Sequence, residues 1–511
     1  MSSTLLSIPT ACIPQFDGLH VISDLHLGGP AGFQIFNSGD DLARLINHLA
    51  ILNPGEKIAL LINGDFVDFL AERPSLHFDP AGAIDKLDRI ASNDAAFKQV
   101  FTALQKFATT KNRFLIINLG NHDLELALPW VAARLMEILA GNNYEARGRI
   151  TFSFEGTGFL CWVGNARVLC VHGNEVDTWN VADYETIRRF GREVMQGRPI
   201  DSWVPNAGSQ LVIDVMNDLK SRYPFIDLLK PEVQGVLPTI AALAPDQRDK
   251  LRAIGGTAAR LVWDKVKRAT GFLGEEDEED YLAGRSLAMP GLLPPDGNGF
   301  GQIVGRNTFQ ADRRKYAATL LDEAEARIGA DVDPLTLIAA DQRESYLGAT
   351  SAFLAWARGG DTSEVLRQAL LDLREDRSFD PSVEDDTFKL LDDQIGDVAD
   401  FVVAGHTHLE RALPRKKRSG WYFNSGTWAR LIKLEAEVLD NSDEFRKVFQ
   451  AFGAGTMAAL DSFPSLIRRK LTVVSFWSDE AGTHGELRHV TTDPNDPNVL
   501  PEENKYRFTK G

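Results

Sequence analysis

The chain has 511 residues, enough for one large core with an insertion or for two domains. It is 44% hydrophobic and 25% charged, a globular composition, and its net charge of −17 repels polyanions and disfavours nucleic acid as a partner. Three cysteines, Cys12, Cys161 and Cys170, do not make a disulfide framework, and Cys161 and Cys170, in apolar strand-like stretches, read as buried free thiols.

Met1 to Pro9 carries no positive charge and no long apolar run, so it does not read as a signal peptide. The first strand-like run, Leu19 to Ser23, leads into Asp24-Leu25-His26. The second, Ile58 to Ile62, leads into Gly64-Asp65-Phe66-Val67-Asp68. Phe114 to Ile117 precedes Gly120-Asn121-His122-Asp123. Val168 to Val171 precedes His172-Gly173-Asn174, and Phe401 to Ala404 precedes Gly405-His406-Thr407-His408. Apolar runs of this length without alternation fit strands buried on both faces. Helical periodicity lies between them at Asp40 to Leu52, Asp94 to Ala108 and Trp130 to Ala140, so the class is α/β. Two hairpins are expected. One spans residues 158–171 around Gly164-Asn165, and the other joins Leu471–Trp477 to Leu487–Val490 around Ala481-Gly482.

About 220 residues separate His172 from His406. The patterning there is helical, over Asp183–Met195, Asp246–Arg268, Ala311–Ile328, Asp341–Ala357 and Thr362–Leu373. An acidic run, Glu275 to Asp280, and a Gly/Pro-rich stretch, Pro290 to Gly301, read as loops. The expected organisation is a core of residues 1–178 and 396–490, a mainly helical insertion over 179–395, a short helical piece near 442–469, and a polar tail over 491–511. The longest apolar stretch, Val233 to Pro245, is too short and proline-broken to span a membrane, and the cytoplasm is the expected compartment.

Five of the ten histidines fall inside the five motifs. Imidazole, carboxylate and amide oxygen suit borderline divalent metals. Ligands in α/β sheets gather outside the carboxyl ends of strands, so five strands can deliver these loops to one rim. Asp24/His26 and His406/His408 are each two residues apart. Both members can point inward only from a non-regular loop. The other histidines, His20, His48, His77, His484 and His489, have ordinary structural readings. The basic run Arg415 to Arg418 reads as a solvated hairpin turn, with phosphate steering as the alternative.

The five motifs, in this order, resemble the calcineurin-like metallophosphoesterase superfamily. The resemblance implies a two-sheet metallophosphoesterase sandwich flanked by helices, with the large helical insertion added. It implies two divalent metal ions, manganese first, with iron or zinc as alternatives. Asp65 would bridge them, Asp24, His26 and His408 would complete one site, and Asn121, His172 and His406 the other. A metal-bridging hydroxide would attack phosphorus. His122 would contact the phosphate or protonate the leaving group, Asp123 would orient it, and Asp68 would bond a ligand histidine. Ile22 to Gly28 resembles two branches, the UDP-2,3-diacylglucosamine hydrolases and the Mre11-like nucleases. Asn424-Ser425-Gly426-Thr427-Trp428 is nearer the first, although that branch has arginine where this chain has His122. The expected function is hydrolysis of a phosphodiester or pyrophosphate bond in a phosphate-ester substrate. The alternatives are a metal-dependent nuclease, or a scaffold or sensor that uses the insertion. The insertion is expected to set the substrate class, with oligomerisation as its other role.

Overall fold

The computed structural model describes residues 8–76, 78–92, 95–177, 180–198, 222–230, 235, 239, 242–243 and 362–511. The chain divides into two units, Met1–Val236 with Leu373–Gly511, and Leu237–Asp372. The expected helices at 246–268, 311–328 and 341–357, the acidic run 275–280, the stretch 290–301 and His77 lie outside the described residues. Within the second unit the described helix is Thr362–Ala369.

The first unit holds two main sheets. A seven-stranded sheet has the order β15-β14-β13-β2-β3-β4-β5. Its strands are β2 Gly18–Ile22, β3 Ile58–Asn63, β4 Arg113–Asn118, β5 Ile150–Ser153, β13 Thr472–Asp479, β14 Gly482–His489 and β15 Arg507–Lys510. A six-stranded sheet has the order β1-β6-β7-β8-β10-β9. Its strands are β1 Gln15–Phe16, β6 Phe159–Val163, β7 Ala166–Cys170, β8 Phe401–Ala404, β9 Arg411–Pro414 and β10 Trp421–Asn424. A two-stranded ribbon pairs β11 Leu431–Ile432 with β12 Ile467–Arg468.

Both faces of the central strands are covered, which is why their sequences lack alternation. Leu19, Val21, Ala59, Leu61 and Ile116 point between the sheets. There they meet Cys161, Val168, Cys170, Phe401, Val403 and Phe423. Ile22, Leu60, Ile62, Leu115 and Ile117 point the other way. They pack under the helices Gly39–Ile51, Ala95–Thr109 and Pro129–Ala140. On the far side of the six-stranded sheet, Val402, Ala404, Leu413 and Tyr422 are covered by Phe388 and Leu391 of the helix Asp386–Gln394. The fold is thus a two-sheet sandwich flanked by helices.

The parallel registers set the site. Ile22 pairs with Ile62, and Ile62 with Ile117. Cys170 pairs with Val403, and Ala404 with Asn424. Five strand ends, drawn from both sheets, therefore reach one rim together. The helix Tyr184–Met195, the segment Pro224–Leu228 and the helix Asp386–Gln394 lie within the expected 179–395 insertion and belong to the first unit. Residues 507–510 were expected in a polar tail, but they form an edge strand antiparallel to β14. Phe508 packs there on Trp421 and Phe423. The basic run turns β9 into β10. Arg415 is buried against Asp392 at 2.9 Å, Lys417 pairs with Asp393 at 2.6 Å, and Lys416 pairs with Glu384.

Candidate metal centre

Five residues that are not glycine hold left-handed backbone conformations at the rim: Asp24, His26, Asp65, His406 and His408, with φ between 48° and 67°. That region is sparsely populated for such residues, and its use here is a local strain held by the surrounding loops. The conformation is what lets both members of Asp24/His26 and of His406/His408 face inward. The loops are tied to one another. His26 N–H donates to Asp65 O at 2.9 Å, Gly405 N–H to His172 O at 2.8 Å, and His406 N–H to the Asp24 carboxylate at 3.1 Å. Thr427 Oγ1 donates to Asp24 O at 2.6 Å, and Asn424 Nδ2 to Gly405 O at 2.6 Å.

Three glycines give the side chains room. A Cβ on Gly64 would stand 2.3 Å from His172 Nδ1, one on Gly120 2.1 Å from Asp65 Oδ1, and one on Gly405 2.6 Å from Asp24 Oδ2.

All seven residues expected as ligands meet here. His26 Nε2 and His408 Nε2 are 3.0 Å apart. His408 Nε2 lies 3.4 Å from Asp24 Oδ1 and His26 Nε2 3.6 Å from Asp65 Oδ2. His172 Nε2 is 3.3 Å from Asp65 Oδ2, and His406 Nδ1 is 3.1 Å from Asn121 Oδ1. The inward nitrogens are set by what holds the outer ones. His26 Nδ1 lies 3.3 Å from Asp68 Oδ2, and His172 Nδ1 donates to the Asn63 carbonyl at 2.7 Å.

The donor set fits a divalent cation. Asp24 and Asp65 are fully buried, and among the described residues neither is paired with a lysine or arginine. Two buried carboxylates so placed are costly without a compensating cation. His172 Nε2 is buried and faces Asp65 Oδ2 at 3.3 Å. Neighbouring nitrogen ligands with bonds of about 2.0–2.1 Å sit roughly 3 Å apart around one ion, which is the His26–His408 spacing. Burial works against ionisation of Asp65, but the His172 and His122 charges and the His172 hydrogen bond outweigh it and hold the carboxyl well below its usual range. Burial would lower the His172 pKa, yet Asp65, with Asp24 and Glu175, raises it to about 10. His408 is pushed well below the ordinary imidazole range, first by burial and then by the charge of Lys230. Lys230 is buried, and its N–H bonds Ile432 O at 3.2 Å.

One expected contact is replaced by another. Asp123 does not hold His122. Its carboxylate turns inward and accepts from Phe66 N–H at 2.8 Å and Gly120 N–H at 2.6 Å. His122 Nδ1 instead lies 3.2 Å from Asp68 Oδ2. Sequence reasoning also passed over Asp177, whose Oδ2 is 2.8 Å from His406 Nε2, and the Asn63 carbonyl on His172. Neither belongs to a recognisable pattern. Asp177 lies five residues beyond His172, and a backbone carbonyl leaves no residue-type signal.

Residues 19–229 match the family model described as calcineurin-like phosphoesterase. The match spans less than half of the chain. The matched residues supply five of the seven clustered side chains, with His406 and His408 lying beyond the match. No curated protein and no solved structure matched the chain. Among the described residues no helix is long and apolar enough to cross a membrane.

Proposed function

We propose that this chain is a phosphoesterase that holds two divalent ions and cleaves a phosphodiester or pyrophosphate bond. The observation that carries the reading is the clustering of Asp24, His26, Asp65 and His408 within 4.8 Å of one another, with His172 Nε2 3.3 Å from Asp65 Oδ2 and His406 Nδ1 3.1 Å from Asn121 Oδ1. Asp65 is the bridging candidate because His26 Nε2 and His172 Nε2 both approach its Oδ2. When bound, the ions supply an activated nucleophile and positive charge for the phosphoryl oxygens. The protein's own part is to fix the ligand nitrogens through Asp68 and Asn63, and to present His122 beside the site as a proton or hydrogen-bond donor. Asp68 Oδ2, 3.2 Å from His122 Nδ1, orients that imidazole.

The reading extends to the insertion, which we infer sets the substrate class. Lys230, from within 179–395, already acts electrostatically on His408. A cation beside such a site favours a substrate with a second negative group.

The test is hydrolysis of p-nitrophenyl mono- and diesters, nucleotides, sugar nucleotides and DNA, with and without added manganese, alongside metal analysis. Manganese-dependent cleavage of diesters or pyrophosphates is expected. Cleavage confined to monoesters would remove the bond assignment, and cleavage of DNA alone would favour the nuclease alternative.

A further inference from the structure

His406 is held at both ring nitrogens, and only one of the two holders belongs to a motif. Nδ1 lies 3.1 Å from Asn121 Oδ1, and Nε2 lies 2.8 Å from Asp177 Oδ2. Asp177 sits in a tied turn after the single-turn helix Asn174–Val176. Its N–H donates to Asn174 O at 3.1 Å, and Val181 N–H returns to Asp177 O at 2.8 Å. Asn180 Nδ2 donates to Asp177 Oδ2 at 2.7 Å, and Asn174 Nδ2 to Asn180 O at 3.2 Å. The carboxylate is therefore aimed at the imidazole by its own loop.

An ionised carboxylate only accepts hydrogen bonds, so the nitrogen facing it must carry the proton. In the neutral ring this leaves the Nδ1 lone pair directed at Asn121 Oδ1, itself an acceptor. Two acceptors 3.1 Å apart suit a shared cation. A carboxylate behind a ligand histidine fixes its tautomer and raises its basicity.

We propose that Asp177 is a positioning residue for the metal centre: it holds the proton of His406 on Nε2, so that Nδ1 is the ligand atom beside Asn121. The inference rests on the two-ion reading above. It gives each half of the site one carboxylate-backed histidine, His26 through Asp68 and His406 through Asp177, whereas His172 is backed by a neutral carbonyl.

The experiment uses the full chain, stripped with chelator and titrated with Mn2+, counting free ion by electron paramagnetic resonance. Wild type, Asp177→Asn, Asp177→Glu and His406→Ala are compared, and melting temperatures of the metal-free forms are recorded. Wild type should bind two ions. Asp177→Asn should weaken one of the two by about 10–100-fold, because its amide can donate to Nε2 and stabilise the wrong tautomer. Asp177→Glu should recover part of the loss, and the metal-free melting temperature of the Asn variant should be unchanged. Two wild-type-like sites in Asp177→Asn would overturn the proposal. So would weakening of both sites together with a lower metal-free melting temperature, which marks a purely structural role. A wild type that binds fewer than two ions would remove the two-ion reading itself, a result independent of the variants.

Discussion

Asp68 Oδ2 lies 3.2 Å from His122 Nδ1 and 3.3 Å from His26 Nδ1, so one carboxylate oxygen serves both a candidate ligand and the histidine beside the site. Burial opposes its ionisation, but the charge and hydrogen bonds of His122 and His26 keep it far below the usual carboxylate range. Two substitutions separate the roles. His122→Ala should cost about 10²–10⁴-fold in kcat for a lost donor, with metal content near wild type. Asp68→Asn should lower kcat and also weaken metal binding, because it disturbs both rings. Loss of metal in His122→Ala would place His122 among the ligands instead.

Asp123 is expected to behave differently from its neighbour. It is fully buried, its two oxygens accept from Phe66 and Gly120 N–H, and burial with the nearby Asp65 raises its pKa to about 7. Asp123→Ala should leave two buried donors unsatisfied and destabilise the fold by about 1–3 kcal/mol for each. Thermal unfolding should record that loss. If stability is unchanged and the pH profile of kcat moves instead, Asp123 acts on the chemistry.

The contrast between Asp68 and Asp123 shows where the sequence was readable. Strand runs followed by polar loops are local signals, and β2, β3, β4, β7 and β8 end beside their motifs as the runs at Leu19, Ile58, Phe114, Val168 and Phe401 imply. The two hairpins are equally local. Which carboxylate faces which imidazole is not local. Asp123 adjoins His122, but the turn sends the two side chains in different directions, and the partner comes from 54 residues away. Asp177 was invisible for the same reason, since its contact spans 229 residues. The last strand was missed because Arg507–Lys510 is short and polar on one face, and its pairing depends on the exposed edge of β14.

Gly64 and Gly120 pack against each other beside the bridging candidate Asp65. A Cβ on Gly64 would lie 3.0 Å from the Gly120 Cα as well as 2.3 Å from His172 Nδ1. Gly64 also has φ +85°, a conformation glycine adopts readily and other residues rarely do. Gly120→Ala must displace Asp65, since the new methyl would stand 2.1 Å from Oδ1. It should reduce bound metal below two ions per chain. Full metal content in this variant would show that Asp65 can move without leaving the site, and would weaken its assignment as the bridge.

Glu125 gives a pH test away from the metals. It is buried, and burial raises its pKa from 4.5 to about 8, despite bonds from backbone N–H groups and the nearby Lys86. In this window the folded chain keeps a proton that the unfolded chain has released. Stability from this group is therefore full below pH 4.5 and falls as pH rises through 8. Glu125→Gln keeps an acceptor for Asp79 N–H, a bond of 2.8 Å in the wild type, and removes the charge. It should be more stable than wild type at pH 9, on the order of 1–3 kcal/mol, and close to it at pH 5. Denaturant unfolding at the two pH values decides. An equal difference at both would mean that Glu125 does not titrate in this range.

The last expectation concerns the second unit. All seven candidate ligands, with Asp68, Asn63 and Asp177 behind them, lie in the first unit, as does Lys230. Replacing residues 245–360 with a short Gly/Ser linker removes none of them. The trimmed protein should fold and bind metal as wild type does. If the insertion sets the substrate class, its preference for the best substrate over a generic diester should fall, through KM more than kcat, because lost contacts to remote parts of a substrate reduce binding first. Should the preference survive while the oligomeric state changes, the insertion is an assembly element, and selectivity must be sought among first-unit residues beside the metal centre, beginning with Lys230.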